Sequence, residues 1–145
     1  MALDRFSRLE TQCRSQLIRD EGRSKVIYYD TLNVPTIGVG RNLNRGLSND
    51  EIDLLFSHDF HTHLNKLCDA LPWVEALDDV RLGALVNMAF NLGIPQLLKF
   101  KNMFGALKAG QWAEAAAHAK NSVWASRVGI RAERIAKQFR TGLWQ

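Results

Sequence analysis

Apolar residues recur every three or four positions from the start of the chain. Leu3, Phe6, Leu9, Cys13, Leu17 and Ile18 form one stripe, which predicts an amphipathic helix over residues 1–21 with Gly22 as its stop signal. The period then changes to two. Val26, Tyr28 and the run from Val34 to Val39 are rich in β-branched and aromatic residues, broken by Leu32-Asn33, Gly38, Gly40 and Gly46. This predicts a small antiparallel sheet between about 24 and 45, in a β lobe of about 22–46. Ser48-Asn49-Asp50-Glu51 matches a capping box, a hydroxyl for the first turn with a Glu three residues on to reciprocate. Behind it Ile52, Leu55, Phe56, Phe60, Leu64 and Leu67 carry a helix over about 48–68. Asp78 or Asp79 opens a strongly apolar segment through Phe90 that ends at Gly93. With so little polar face, it predicts a central core helix. Shorter helices follow near 96–109, 111–120 and 128–140, separated by Gly110 and by Trp124–Gly129, within a helical portion of about 70–145. Helix, small sheet, long helix, helical bundle: the class is α+β.

At 145 residues the chain fits one compact domain, or two small lobes that share a helix. It needs no disulfide or metal to fold, since a chain of this size buries roughly two-thirds of its unfolded surface. The net charge of +4 fits nucleic acid, acidic glycan polymers and anionic membranes equally well. Cys13 and Cys68 lack a CxxC spacing and read as free thiols of a protein made in a reducing compartment. No apolar run is long enough to span a membrane. Charges at Asp4, Arg5, Arg8 and Glu10 leave no signal-peptide core, so synthesis in the cytoplasm is expected.

The candidate chemistry lies in Arg19-Asp20-Glu21-Gly22, Tyr28-Tyr29-Asp30 and Thr36-Ile37-Gly38-Val39-Gly40. Glu21 falls in the last turn of the first predicted helix. The negative end of the helix dipole disfavours a carboxylate there by about 0.3–1 kcal/mol. The same field favours the protonated form, which suits a general acid. Asp30 ends a strand and enters a turn, where an aspartate is also unsurprising on structural grounds. A sheet folding back on the helix end would gather Glu21, Asp30 and Thr36. Paired carboxylates in unlike environments are the equipment of glycoside hydrolysis. On spacing alone, surface acids and an ordinary turn explain the same residues.

The string Asp20-Glu21-Gly22, x7, Asp30, x5, Thr36-Ile37-Gly38-x-Gly40 resembles the active-site signature of the phage lysozymes, or endolysins, of glycoside hydrolase family 24, typified by the T-even type. The similarity continues through Ser48–Phe56, Leu77-Asp78-x-Val80-Arg81 and Ala84-Leu85-x-Asn87-Met88. It extends to Trp124, Arg131-Ala132, Arg134 and the closing Phe139-Arg140-Thr141-Gly142-x-Trp144, covering about 12–144. The resemblance implies a single lysozyme domain and a muramidase that hydrolyses the β-1,4 bond between N-acetylmuramic acid and N-acetylglucosamine in peptidoglycan. Glu21 would protonate the glycosidic oxygen. Asp30 would position or activate water or stabilise positive charge on the sugar, and Thr36 would hold that water. Inversion needs carboxyls roughly 6.5–9.5 Å apart, whereas about 5 Å would argue for retention. Arg131 would steady the glutamate, and Phe90 and Asn91 would contact the glycan. No cofactor, metal or nucleic acid is implied. A monomer released from the host cytoplasm through a holin-opened membrane is expected. The competing readings are a lytic transglycosylase and a wall-binding or membrane-disrupting module that does not cleave.

Three positions depart from the family pattern. Arg41 replaces the usual His, with Asp59 as the expected partner; Asn91 replaces a longer amide; and Asn42–Leu47 is short, which predicts a smaller β lobe. Beyond the motif, His58, His61 and His63 read as a solvated helix face; a metal site is the lesser reading, because 58 and 61 can share a helix face and 63 cannot. Trp112, Trp124 and Trp144 read as core, with Trp73 less settled. Lys120, Arg127, Arg131, Arg134, Lys137 and Arg140 oppose Glu133 alone. They form a basic surface suited to weak contact with anionic lipid or wall polymer, although pairing within the fold is the simpler expectation.

Overall fold

The computed structural model describes residues 2–145, with side chains from Asp4 onward. Leu3, the first member of the predicted stripe, therefore lies outside the described side chains. In chain order the elements are α1 (Ala2–Glu21), β1 (Ser24–Tyr29), β2 (Pro35–Gly38), β3 (Arg41–Asn42), α2 (Asn49–Ala70), α3 (Asp79–Leu92), α4 (Ile94–Leu97), α5 (Lys101–Lys108), α6 (Trp112–Lys120), α7 (Val123–Val128) and α8 (Ile130–Thr141). Short 3-10 turns occupy Leu43–Arg45 and Pro72–Ala76. One antiparallel sheet, ordered β1-β2-β3, together with the helices makes an α+β fold. The chain divides into two compact units, residues 1–53 and 54–145, with the division inside α2.

In the first unit, Gly22 ends α1 at a φ of 78° and its N–H closes on Ile18 O. The predicted stripe is half-buried at Cys13 and Ile18, while Phe6, Leu9 and Leu17 are exposed. β1 pairs with β2 as Tyr28↔Thr36 and Tyr29↔Pro35, but the register slips between Ser24 and Tyr28. The Ser24 hydroxyl donates to Val26 O and accepts from Val26 N–H, diverting that backbone from the ladder. The result is a bulge rather than the plain alternation expected of Val26 and Tyr28. β3 is two residues long and joins β2 through the Val39-Gly40 turn.

The capping box forms as the sequence predicts. Glu51 Oε2 accepts from Ser48 N–H at 2.8 Å, and Ser48 Oγ accepts from Glu51 N–H at 3.3 Å. Asp78 caps α3 by accepting from Arg81 N–H, and Gly93 stops it at a φ of 74°.

In the second unit α3 is the core helix. Ala84, Leu85, Val86, Met88 and Ala89 are buried, as are Ala132, Ile135, Ala136 and Phe139 of α8. Ala115, Ala116 and Ala119 line the buried face of α6, and such small side chains let neighbouring helices approach closely. Arg81 ties this core to the C-terminal helix. Its Nε donates to Phe139 O at 2.8 Å, its Nη1 meets Asp78 at 2.6 Å, and its guanidinium lies 3.9 Å over the Trp112 ring. Burial pushes the Asp78 carboxyl up, but the hydrogen bonds from Arg81 outweigh it and hold the group below its ordinary range.

The second unit departs from the sequence pattern at two places. Trp124–Gly129 is mostly not a separator: residues 123–128 form α7, because the Ser122 hydroxyl caps the helix by accepting from Ala125 N–H at 3.1 Å. Replacing Ser122 with alanine should cost about 1 kcal/mol in a urea unfolding curve. Trp144 is not core either. It follows the left-handed Gly142 and is 65% exposed, with its ring laid on α3 at Gly83. A Cβ on Gly83 would come 2.4 Å from that ring. Trp124 is buried and Trp112 half-buried, as expected of core.

Candidate active site

Glu21 is the last residue of α1 and is exposed. The Val39-Gly40 turn comes up against its side chain. A Cβ built on Gly40 would lie 2.7 Å from Glu21 Oε2 and 3.2 Å from its Cδ. Gly40 also has a φ of 64°, a left-handed backbone that favours glycine. The sequence places Gly40 in the motif, but only the fold reveals its contact with the acid.

Asp30 sits at the head of the β1–β2 turn. Its Oδ1 accepts from Leu32 N–H at 2.8 Å and from Val34 N–H at 2.9 Å. The structural reading of this aspartate is therefore correct as far as Oδ1 goes. The other oxygen makes no hydrogen bond among the described residues. Thr36 pairs with Tyr28 on one side and Asn42 on the other, and is one of the few buried polar residues. Its hydroxyl donates to Val34 O at 2.9 Å, which leaves its oxygen lone pairs as acceptors.

Arg41 pairs with Glu51 rather than Asp59. Its guanidinium grips both Glu51 oxygens, with Nη2 2.6 Å from Oε2, and also reaches Gly46 O at 3.3 Å. The short segment after β3 brings the first turn of α2 within reach, and the capping box already fixes Glu51 there. Asp59 lies instead beside His58, at 3.4 Å. Arg41 and then Ser48 N–H hold the Glu51 carboxyl at about 2, below its ordinary 4.5. A lowered carboxylate contributes stability that is present above its unfolded value and is lost as pH falls through the folded one. This tie should therefore persist from neutral pH to about pH 4.5 and loosen from there towards 2. An NMR titration should find the Glu51 midpoint near 2, and nearer the ordinary range in Arg41→Ala.

The remaining predicted residues belong to the second unit. Asn87, Phe90 and Asn91 share one face of α3 at i, i+3, i+4 spacing. Arg131 of α8 donates from Nε to Asn87 Oδ1 at 2.8 Å and from Nη2 to Asn87 O at 3.1 Å. Asn87 is thus a neighbour that the motif reading quoted without assigning it a role. Phe90 stacks on His63 at 4.5 Å and borders an apolar groove of about 290 Å³ with Phe56, Phe60 and Trp144. Asn91 Oδ1 accepts from Trp124 Nε1 at 2.8 Å. In the histidine cluster, His61 and His63 each turn Nδ1 to a backbone oxygen one turn earlier.

Several comparisons bear on this arrangement. A family model described as phage lysozyme matches residues 19–137. Probable T4-type lysozyme 2 of Dictyostelium discoideum is 28% identical, over 89% of this chain and 94% of that protein. Probable T4-type lysozyme 1 of the same organism is 26% identical over the same shares. The pre-baseplate central spike protein Gp5 of Enterobacteria phage T4 is 29% identical over 87% of this chain, which spans 27% of that protein's length. The matched segment contains Glu21, Asp30, Thr36 and Arg131 together with most of the second unit's core. On this match the chain belongs to the phage lysozyme family, and it is a glycoside hydrolase acting on peptidoglycan.

Proposed function

We propose that the protein is a muramidase of the endolysin type, cleaving the β-1,4 bond between N-acetylmuramic acid and N-acetylglucosamine by acid–base hydrolysis with inversion. The observation that carries this reading is Glu21 at the end of α1 with its side chain beside Gly40; Asp30 at the β1–β2 turn, with one carboxylate oxygen free, and Thr36 on β2 support it. Glu21 protonates the glycosidic oxygen as the bond breaks. Asp30 accepts a proton from water through the oxygen that the turn leaves free. Thr36 Oγ accepts a hydrogen bond from the other O–H of this water, because its own hydroxyl proton is committed to Val34 O. Direct attack by this water gives the α-anomer first. Proton NMR of the fresh digest of a soluble glycan fragment tests this. The α reducing end should appear before mutarotation, and a β-first product would mean retention.

Electrostatic contact between the basic helices and an anionic wall polymer or lipid surface belongs to the same proposal. From Lys99 onward nine cations face two acids, a net +7 in a chain of +4, so residues 1–98 carry −3. Lys120 pairs with Glu133 at 2.9 Å, whereas Arg127, Arg134, Lys137 and Arg140 have no carboxylate partner among the described residues. Screening should weaken this contact as the Debye length falls from about 10 Å at 0.1 M salt. Adsorption to purified walls should therefore drop severalfold between low salt and about 0.3 M, and a flat response would contradict the contact. Release from the host cytoplasm at lysis completes the proposed role.

A further inference from the structure

The acid of the proposed site is held from one side by a turn, and that turn is itself tied down. Val39-Gly40 joins β2 to a β3 of only two residues, so the sheet gives it little hold. Gly40 nevertheless lies beside the Glu21 carboxyl, so close that a Cβ there would fall 2.7 Å from Oε2. The next residue, Arg41, reaches away to Glu51 with Nη1 and Nη2, the two terminal guanidinium nitrogens, and to Gly46 O with Nη2. Glu51 in turn is locked to Ser48 at the start of α2. A chain of contacts thus runs from the acid through Gly40 and Arg41 to the first turn of a 22-residue helix, all of it within residues 1–53.

We propose that Arg41 is a positioning residue for the Glu21 carboxyl: by gripping Glu51 and Gly46 O it holds the Val39-Gly40 turn against the acid. The inference rests on the reading of Glu21 as the general acid. Arg41 touches no reacting atom. It acts by keeping the Gly40 backbone where it limits the orientations open to an exposed side chain that makes no hydrogen bond among the described residues. A bidentate guanidinium–carboxylate fork suits this task because it fixes direction as well as distance.

Steady-state kinetics on a soluble peptidoglycan fragment test it, with Arg41→Ala, Arg41→Lys, Glu51→Gln and the Arg41→Ala/Glu51→Gln double variant. Far-UV circular dichroism confirms the folded fraction at the assay temperature. In Glu51→Gln the amide oxygen still accepts from Ser48 N–H, so this variant retains the cap if Arg41→Ala does not fold. We expect kcat to fall about tenfold in Arg41→Ala, since small misplacements of a reacting group cost rate, with KM changed less than about twofold. Glu51→Gln should lose a similar factor, the double variant no more than Arg41→Ala, and Arg41→Lys should fall between. Unchanged kcat in folded Arg41→Ala or Glu51→Gln would overturn the proposal. So would a loss confined to KM, or a double variant that multiplies the single losses. Glu21→Gln run alongside separates the two readings. If it is inactive while the Arg41 variants are normal, only the positioning role fails; if it is fully active, the acid assignment fails and the positioning role with it.

Discussion

Replacing Glu21 with glutamine should lower the rate of wall hydrolysis by about 10²–10⁴-fold, the usual contribution of a positioned acid. The substitution preserves shape, so the Gly40 contact, which tolerates either oxygen or amide, should survive. Glu21 is exposed at the end of α1 and makes no hydrogen bond among the described residues, so little stability depends on its charge. The thermal unfolding midpoint should accordingly stay within a degree or two, since surface changes of this kind are within about 0.5 kcal/mol. Turbidity loss of a wall suspension reads the rate, and a melt reads the fold. A folded variant that clears walls at the wild-type rate would remove Glu21 from the mechanism.

Asp30 offers the second large effect, and two substitutions divide its two jobs. Asparagine retains an oxygen for Leu32 N–H and Val34 N–H but has no charge and accepts no proton from water. Asp30→Asn should therefore remain about as stable as the wild type while losing roughly 10²-fold or more in rate. Alanine removes the turn acceptor too, and should cost a further 1–2 kcal/mol in unfolding free energy, in the range for lost backbone caps. If Asp30→Asn kept full activity and only Asp30→Ala suffered, Asp30 would be a turn residue and nothing more.

Much of the fold was legible because its signals are local. Ser48 and Glu51 form their capping box between neighbours, Asp78 caps its own helix, and Gly22 and Gly93 stop theirs by adopting positive φ. Such features depend on a few consecutive residues and survive any tertiary arrangement. What escaped depends on residues distant in sequence or on too short a pattern. α7 is six residues long, less than two turns, so it carries no readable period beyond its Ser122 cap. Trp144 reads as core by type, but its place depends on where the chain end lies on Gly83. The bulge in β1 comes from one hydroxyl that competes with the ladder.

The candidate site divides in the same way. Glu21, Asp30 and Thr36 were visible as residue types at helix end, turn and strand, and family resemblance chose among the chemistries those types allow. Arg41 was marked as a departure, but its partner depended on how tightly the chain closes after β3. That closure places Glu51 in reach, and no spacing rule singles it out from Asp59. Gly40 reads as a turn glycine, and its service to the acid is visible only as the missing Cβ beside Oε2. Asn87 is likewise one polar residue of an apolar helix in the sequence, and only the fold bonds it to Arg131.

The central claim is hydrolysis of one particular bond, and the products of wild-type digestion test it most directly. Purified peptidoglycan is digested in ¹⁸O-labelled water and the fragments are analysed by mass spectrometry. The account predicts new reducing ends on N-acetylmuramic acid, each carrying one ¹⁸O. Fragments ending in 1,6-anhydro-N-acetylmuramic acid, or reducing ends on N-acetylglucosamine, would contradict it.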